Sequence, residues 1–306
     1  MSALASLGLL AVLVLATDPA RLIETLKTVQ AGHVAAAFLA VQIQILASAY
    51  RWRFTAGRLG HEIAAGLAIQ EYYVSSALNL ILPGGMSGDA IRAYRNRTEC
   101  EGGWKRPAAA VLLERLSGQI AFFFLCAMGV FAWPIFLKAH FAEQINIAIW
   151  ALVTLILAVG TFALAAKYTR FSEQLRKLGP SLASVFWRDG AWIVQAGLNI
   201  IVVTGYIATF MIASDAVGAS LPPIAAFTII PLCLLTMLIP AGIGGWGTRE
   251  AAAAVLWPVL GFDSTQGLAA SLLYGGLSLA GASIPGMIAV FVAISKGRIG
   301  RAKKFR

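Results

Sequence analysis

The segments LPGGMSGDAIR (residues 82–92) and IPAGIGGWGTR (residues 239–249) interrupt two apolar stretches of the chain with proline and glycine. Both follow the pattern apolar-Pro-x-Gly-apolar-x-Gly-x-x-x-Arg. Because proline lacks a backbone donor and blocks helix continuation, each segment predicts a broken helix with a hinge at Pro83 or Pro240. Chance similarity between glycine-rich turns is the alternative interpretation. Matched breaks in two halves of a chain are instead typical of an internal repeat in membrane transporters.

The composition around these breaks is that of a membrane protein. Of the 306 residues, 59% are hydrophobic and 12% are charged, whereas soluble domains carry about 25% charged residues. A spanning helix needs about 20 mostly apolar residues, and several stretches approach this length. We therefore expect an all-α polytopic membrane protein with about six spanning helices. The predicted spans are residues 2–17, 34–50, 108–133, 145–166, 191–213 and 267–294.

The basic residues indicate how the chain is oriented. Its net charge is +10, and most of its 24 Lys and Arg residues fall on one side of the predicted spans. The positive-inside rule places that side, with both termini, in the cytoplasm of a bacterial inner-membrane protein. Since this topology accounts for the basic charge, no nucleic-acid partner is expected. Cytoplasmic positions are also predicted for an interfacial segment at residues 168–190 and a basic tail at residues 295–306.

This orientation requires two re-entrant hairpins. Residues 62–97 have basic flanks at both ends, whereas the flanks of residues 221–260 contain no Lys or Arg. The hairpins are therefore predicted to enter the membrane from opposite faces. The result is one transmembrane domain over residues 1–306 with an inverted internal repeat. The alternative is full crossing by all four limbs, which conflicts with the short second limbs at residues 87–97 and 247–260.

Aromatic residues near charges are interpreted as anchors at the membrane interface. Trp52 lies between Arg51 and Arg53, and Tyr72 and Tyr73 are adjacent in the chain. Amphipathic rings beside charges are typical of the headgroup level of a bilayer.

The start of a helix at each glycine-rich tip predicts an anion site. Helix N-termini carry unpaired N–H groups and about half a positive charge, so they bind phosphate. Arg92 and Arg249 follow the tips, and arginine suits bidentate contact with phosphate. Glycine lets the backbone approach a ligand closely. The glycines predicted to do so are Gly85, Gly88, Gly242 and Gly245.

Further polar residues near the breaks complete the predicted substrate-binding set. Intramembrane charges usually line a site or a pathway. The additional members are Asn79, Asp89, Glu114, Arg115 and Glu250. The alternative is a structural role, in which Asp89 and Glu250 only neutralise arginine or cap helices. Under that alternative, Glu114 and Arg115 lie near the headgroups and extend toward water.

The sequence contains no catalytic or nucleotide-binding motif. There is no Gly-x-Ser-x-Gly, no P-loop lysine and no metal-like spacing among the cysteines and histidines. We therefore expect a protein that is not an enzyme and that uses no cofactor or metal.

The motifs resemble those of a known family. The segments are NLILPGGMSGDAIR (residues 79–92), LER (residues 113–115) and IPAGIGGWGTRE (residues 239–250). They look like the lysylphosphatidylglycerol synthase transmembrane domain family, whose members are also called flippase-like membrane proteins. The resemblance covers nearly the whole chain and implies lipid translocation. The best-known members add a soluble aminoacyl-transfer domain. This chain ends in a short basic tail, so lipid aminoacylation is not expected.

The leading hypothesis is a lipid flippase-like transporter for an anionic, phosphate-bearing lipid with a glyco- or amino-modified headgroup. Its expected partners are membrane lipids, and a lipid-modifying enzyme or a glycosyltransferase is a further candidate. Two alternatives are open. One is a lipid-binding membrane subunit that serves a separate transferase, and the other is a channel or a small-solute transporter.

Overall fold

The computed structural model describes residues 8, 10–13, 15, 17–82, 85–97, 103–136, 171–238 and 243–295. For residues 130–136, 171–178 and 292–294 it describes the backbone alone. The predicted span 145–166 and most of the predicted span 2–17 lie outside these residues. So do Pro83, Pro240, Gly242 and the tail beyond residue 295.

The described part of the chain is helical, without strands. Its α-helices from Pro19 onward are α1 Pro19–Lys27, α2 Ala31–Arg58, α3 Ala65–Ile81, α4 Ser87–Arg95, α5 Lys105–Phe136, α6 Phe171–Phe186, α7 Ala191–Ala216, α8 Ile229–Leu235, α9 Thr248–Leu256 and α10 Ser264–Ser295. Short 3-10 turns lie at Arg188–Gly190, Pro223–Ala226, Thr236–Leu238 and Trp257–Leu260.

Four of these helices are long and apolar enough to cross a membrane. They are Ala31–Arg58, Lys105–Gly129, Arg188–Ala216 and Ser264–Phe291. The first has 28 residues, or about 42 Å at ~1.5 Å per residue, against a hydrocarbon core of ~30 Å. Four of the six predicted spans thus correspond to helices long and apolar enough to span, and the prediction of an all-helical membrane protein is confirmed.

The α5 helix has its apolar face outside and its charged face inside. Glu114 and Ser117 are buried. An apolar stripe repeats every fourth residue along the opposite, exposed face. The stripe consists of Leu112, Leu116, Ile120, Phe124 and Met128. A soluble protein would bury such a stripe. Exposure of the stripe fits a hydrocarbon environment, in which the charges are the groups that need protein around them.

Small residues allow the long helices to pack closely. A Cβ atom added at Gly205 in α7 would lie 2.7 Å from the Cβ of Gln44 in α2. One added at Gly281 in α10 would lie 2.5 Å from Cγ1 of Val41. Such contacts are typical of helix association in membranes, where dispersion replaces the hydrophobic effect. They bring α7 and α10 against α2.

Both broken segments fold a short second helix back against the first limb. The amide of Gly88 in α4 donates to Oδ1 of Asn79 in α3 at 2.8 Å. In the second segment, the hydroxyl of Thr248 donates to the carbonyl of Thr236 at 3.1 Å. The second helices, α4 and α9, have 9 residues each. Each is therefore about 14 Å long, roughly half the length needed to cross the hydrocarbon core.

The first limb of the second segment is divided into short helical pieces. It consists of the turn Pro223–Ala226, helix α8 and the turn Thr236–Leu238. Pro222, Pro223 and Pro231 lie in this limb. Because proline cannot donate a helical backbone hydrogen bond, the limb forms short helical segments although it is apolar throughout.

The predicted interfacial segment contains helix α6 and the turn Arg188–Gly190. It is attached to the end of α2 through Arg58. The guanidinium of Arg58 donates to the carbonyl of Ser184 at 2.8 Å and to the carboxylate of Asp189 at 2.8 Å. Trp187, at the end of α6, is largely exposed.

Candidate functional site

Arg92 lies fully buried at the first break. Its guanidinium carbon is 4.4 Å from the ring centres of both Trp52 and Tyr72. Its Nη2 donates to Asp89 at 2.9 Å and to Glu114 at 3.2 Å. Stacking of arginine on desolvated aromatic faces is favourable, and the two carboxylates add charge-assisted hydrogen bonds. Helices α2, α3, α4 and α5 all contribute to this environment.

Two more arginines share the same carboxylates. Arg51 pairs with Glu114 through two guanidinium nitrogens, and its Nε lies 3.1 Å from Oε1. Arg115 pairs with Asp89 at 2.5 Å. Three guanidinium groups therefore meet two carboxylates, which leaves one positive charge in excess. We call Arg51, Asp89, Arg92, Glu114 and Arg115 the first charge cluster.

Part of this positive charge has no hydrogen-bond acceptor. Within the described residues, Nε and Nη1 of Arg92 and Nε of Arg115 are buried and make no hydrogen bond. Buried polar groups are nearly always satisfied, so unsatisfied guanidinium nitrogens need a specific reason. An anionic ligand would supply both the acceptors and the balancing charge.

Asn79 connects the two limbs of the first break. Its side-chain amide donates to Asp89 at 3.1 Å, and its oxygen accepts the amide of Gly88 at 2.8 Å. A Cβ added at Gly88 would lie 2.1 Å from the carbonyl oxygen of Ser75, so only glycine allows this approach of the limbs. Gly85 has a φ of +63° and open space around it. Among Gly85, Gly88 and Gly245, the described members of the predicted glycine set, Gly85 is the one with room beside it.

Arg249 occupies a similar position at the second break. It is fully buried, and its guanidinium carbon lies 5.1 Å from the Trp246 ring centre and 4.9 Å from that of Tyr274. Its Nε lies 3.1 Å from Glu250 Oε1 and 2.9 Å from the hydroxyl of Ser271. Among the described residues its Nη1 has no hydrogen-bond partner. We call Arg249, Glu250 and Ser271 the second charge cluster.

Glu250 also fixes the start of α9. Its second carboxylate oxygen accepts the amide of Gly247 at 2.6 Å, which caps the helix. Gly245, just before, has a φ of +82°, and an added Cβ would lie 2.6 Å from Met237. Gly245 therefore packs against Met237 and has no open space beside it.

The two breaks contact each other. A Cβ added at Gly244 would lie 2.8 Å from both the Cα and the carbonyl oxygen of Leu80, and 3.1 Å from the carbonyl oxygen of Asn79. Gly244 has a φ of +54°, which favours glycine independently of the space available. The repeated motifs, far apart in sequence, thus lie side by side next to Asn79.

A chain of buried polar side chains leads away from the first charge cluster. Arg51 donates to Asn199 at 2.5 Å, Asn199 donates to Ser117 at 2.8 Å, and Ser117 donates to Gln195 at 3.0 Å. Gln195 in turn donates to Thr55 at 3.0 Å. The chain connects α2, α5 and α7, so the position of Arg51 depends on all three spans.

Most of the predicted set lies in these two places. The first break brings together Asn79, Gly88, Asp89, Arg92, Glu114 and Arg115. The second brings together Gly245, Arg249 and Glu250. Glu114 is fully buried among protein groups instead of lying at the headgroups, whereas Arg115 keeps 33% of its side chain exposed.

The interface interpretation of several aromatic residues is corrected by the structure. Trp52, Tyr72 and Tyr73 are buried, because Trp52 and Tyr72 stack on Arg92 and the hydroxyl of Tyr73 donates to Gln42 at 2.6 Å. Arg51 was likewise expected at a membrane boundary and is buried in the first charge cluster.

A periodic pattern in α2 could have identified Arg51 as a site residue. Gln44, Ser48, Arg51 and Thr55 follow one another at three- and four-residue spacing in an otherwise apolar helix, and all four are buried. Polar residues on one face of a spanning helix indicate an interior contact. In α7, Gln195 and Asn199 are also buried and four residues apart, so the same pattern could have identified Asn199, whereas Ser271 carries no comparable pattern.

No metal centre is formed in the described part of the chain, where no group of three His, Cys, Asp or Glu side chains is placed to hold an ion. The spanning helices and the buried charged breaks define the chain as a polytopic helical membrane protein. Residues 2–286 match the model of the family described as lysylphosphatidylglycerol synthase TM region, so the chain belongs to that family. Its membership makes it a membrane protein related to lipids. No curated protein matches the chain.

Proposed function

We propose that the chain is a lipid flippase-like transporter that moves an anionic, phosphate-bearing lipid across a bacterial inner membrane. The observation that carries the proposal is the excess positive charge of the first charge cluster, with unpaired buried nitrogens on Arg92. A glyco- or amino-modified headgroup is compatible with this site, because the phosphate supplies the recognised charge.

The energetics favour an anionic ligand over a purely structural role. An uncompensated buried charge destabilises a protein by about 3–5 kcal/mol. Charged groups inside the membrane are rare and mark substrate or ion pathways. One phosphate monoanion would neutralise the single excess charge, and its oxygens would accept from Nε and Nη1 of Arg92.

The proposal includes movement between the two faces of the membrane. Helices α4 and α9 are too short to cross, and the two breaks contact each other through Gly244 and Leu80. Two opposed re-entrant hairpins would place these breaks near the bilayer midplane, with both chain termini in the cytoplasm. Inverted repeats with broken helices at a central site are typical of alternating-access carriers.

The central test is lipid translocation after reconstitution into vesicles. Phosphatidylglycerol with a fluorescent headgroup is reduced by dithionite only in the outer leaflet, so the rate of further loss reports transbilayer movement. We expect Arg92→Ala and Arg249→Ala each to abolish this movement while the protein still folds. Arg97→Ala is the matched control, because Arg97 is exposed and its contacts among the described residues are with the ring and the carbonyl of Tyr94. Full activity in both variants would remove the proposed site.

The same assay separates the alternatives. A lipid-binding subunit for a separate transferase would retain phosphatidylglycerol during purification without moving it. A channel or small-solute transporter would conduct a solute and leave the labelled lipid in place. If a lipid-modifying enzyme or a glycosyltransferase is a partner, it should co-purify after gentle extraction.

The opposed hairpins have their own test. Met86 and Leu238 are exposed near the two breaks, so Met86→Cys and Leu238→Cys can be labelled with a membrane-impermeant maleimide. We expect the first to react from the cytoplasm and the second from the opposite side. Reaction of both from one side would exclude opposed entry.

A further inference from the structure

Two interior residues outside the charge clusters carry polar groups without a partner. Gln44 in α2 is 9% exposed, and Tyr206 in α7 is partly buried. Within the described residues, neither the Gln44 amide nor the Tyr206 hydroxyl makes a hydrogen bond. Unlike Nε of Arg92, their polar atoms are not fully enclosed, so open space adjoins them. Since polar groups inside a protein nearly always have a partner, this pair needs a specific reason.

The two residues lie at the same level of the long apolar helices α2 and α7. Arg51 of α2 donates to Asn199 of α7 at 2.5 Å. Two turns away, a Cβ added at Gly205, the neighbour of Tyr206, would lie 2.7 Å from the Cβ of Gln44. Falling residue numbers in α2 thus meet rising numbers in α7, so the helices are antiparallel. Gln44 and Tyr206 each lie seven residues, or about 10 Å, from the contact with the first charge cluster.

Tyr206 also lies on the face of α7 that connects the two charge clusters. At about 100° per residue, the directions of Tyr206 and Phe210 each differ from that of Asn199 by about 20°. The Phe210 ring stacks on Tyr274 at 4.8 Å, and the Tyr274 ring centre lies 4.9 Å from the guanidinium carbon of Arg249. Asn199 and Phe210 are 11 residues, or about 16 Å, apart along the helix. Tyr206 lies between them.

The Tyr206 hydroxyl lies on the side of the first charge cluster that is open. Side chains of a helix lean toward its N-terminus, which for Tyr206 is the direction of Asn199. The charged groups that interact electrostatically with its hydroxyl all belong to the first charge cluster and are those of Arg115, Arg51, Glu114 and Asp89. Arg115 keeps 33% of its side chain exposed, and its Nε has no partner among the described residues. A ligand that leaves Arg115 along α7 therefore meets Tyr206 next.

We propose that Gln44 and Tyr206 form an intermediate binding site for the lipid phosphate between the two charge clusters. The inference rests on the proposed function and adds a third binding site to it. The Tyr206 hydroxyl and the Gln44 amide nitrogen donate to phosphate oxygens. Because both groups are neutral, they hold phosphate less tightly than the guanidinium groups do. Passage through a membrane requires sites that a ligand can both enter and leave.

The first experiment removes the two polar groups and keeps the packing. Tyr206→Phe retains the ring, and Gln44→Met retains the Cβ and Cγ atoms that contact Gly205. In the vesicle assay, we expect each variant to move labelled phosphatidylglycerol about tenfold more slowly, the factor that a hydrogen bond to a charged group provides. Tyr50→Phe is the matched control and should have no effect, because Tyr50 is exposed on α2.

Two further measurements test for a purely structural role. Since neither polar group has a partner among the described residues, Tyr206→Phe and Gln44→Met should not lower the temperature of thermal unfolding. Slower movement accompanied by an equivalent loss of thermal stability would show a packing role and contradict the proposal. Replacing Tyr206 with 4-aminophenylalanine restores a donor on the same ring and should recover most of the lost rate. An absence of recovery would likewise contradict the proposal.

The outcomes separate this inference from the proposed function. If Tyr206→Phe and Gln44→Met move lipid at the unaltered rate while Arg92→Ala does not, the intermediate site is wrong and the transporter stands. That result is expected if water alone occupies the space beside the two residues. If Arg92→Ala and Arg249→Ala both remain fully active, the proposed function fails and the intermediate site fails with it.

Discussion

The two broken segments surround their arginines with similar aromatic pairs but different charges. Arg92 lies between a tryptophan and a tyrosine at 4.4 Å from each, and Arg249 lies between another such pair at 5.1 and 4.9 Å. The first arginine belongs to a group of three arginines and two carboxylates. The second has one carboxylate, Glu250, to itself. The repeat has thus kept the aromatic enclosure and changed the charge balance.

This difference distinguishes the groups needed to bury a guanidinium from the groups that could bind an anion. The second cluster shows that an aromatic pair, one carboxylate and a serine hydroxyl are enough to hold a guanidinium inside the protein. The first cluster surrounds Arg92 with an aromatic pair and two carboxylates and adds Arg51 and Arg115 from long apolar helices. The added arginines are unnecessary for burial, so under the proposed function they serve the anion.

The largest difference between the halves is expected on removal of the central carboxylate. Glu114→Gln leaves Asp89 as the one carboxylate of a cluster with three arginines and should destabilise the protein by about 3–5 kcal/mol. Glu250→Gln frees only Arg249 and should cost less. Thermal unfolding in detergent measures both. Adding Arg51→Gln to Glu114→Gln should recover part of the loss. A larger loss from Glu250→Gln would contradict the charge comparison.

A second contrast concerns the glycines that lie against the arginines. A Cβ at Gly275 would lie 2.3 Å from Nη2 of Arg249, whereas one at Gly118 would lie 3.1 Å from the Arg51 guanidinium. Gly275→Ala should therefore displace Arg249 and cost about 1–3 kcal/mol. Gly118→Ala requires a shift of a few tenths of an ångström, offset by the helix preference for alanine. Gly275→Ala should reduce both stability and lipid movement more than Gly118→Ala does. Equal effects would show that Arg249 can shift to accommodate the added methyl group.

The charge excess can be removed without removing an arginine. Asn199 accepts a hydrogen bond from Arg51, so Asn199→Asp would add a third carboxylate to the first charge cluster. We expect phosphatidylglycerol to bind about tenfold more weakly, a change of ~1.4 kcal/mol. Asn199→Ala, which keeps the excess charge, is the control. Unchanged binding in Asn199→Asp, measured by native mass spectrometry, would argue against recognition through net charge.

The smallest effects should be equal in the two halves. Ser271 bridges Arg249 and Glu250, and Ser117 bridges Asn199 and Gln195. Ser271→Ala and Ser117→Ala should each cost about 0.6 kcal/mol, the average for a hydrogen bond between membrane helices. Unfolding measurements on both variants test this. A markedly larger loss in either half would identify a hydroxyl with a further role.

The sequence predicted the spanning helices better than the internal structure of the broken segments. The spans α2, α5, α7 and α10 follow from apolar runs longer than a bilayer requires. The limb at residues 221–238 is apolar throughout, yet it forms three short pieces, and apolar character alone does not predict these divisions. Hydrophobicity specifies which residues avoid water. The path of the backbone also depends on the prolines, which lack the N–H group needed to continue a helix.

The sequence predicted the site residues that lie within the repeated motif and missed those that distant helices contribute. Arg92, Asp89, Arg249 and Glu250 lie within the repeated segments, and Glu114 was found as a charge in an apolar run. Arg51 and its contact with Glu114 depend on the packing of α2 against α5. No local pattern fixes that packing, which depends on the fit of side chains between helices.

The two faces of α5 restrict how the molecule can move. Successive residues of a helix are separated by about 100° around its axis, so turning α5 by two residues would bring Glu114 to the exposed face and Leu112 or Leu116 toward the arginines. Under the proposed function, a headgroup would therefore pass α5 while this helix tilts or slides with its azimuth unchanged. The neighbouring helices α4 and α9, of 9 residues each, would then be the elements left to rearrange.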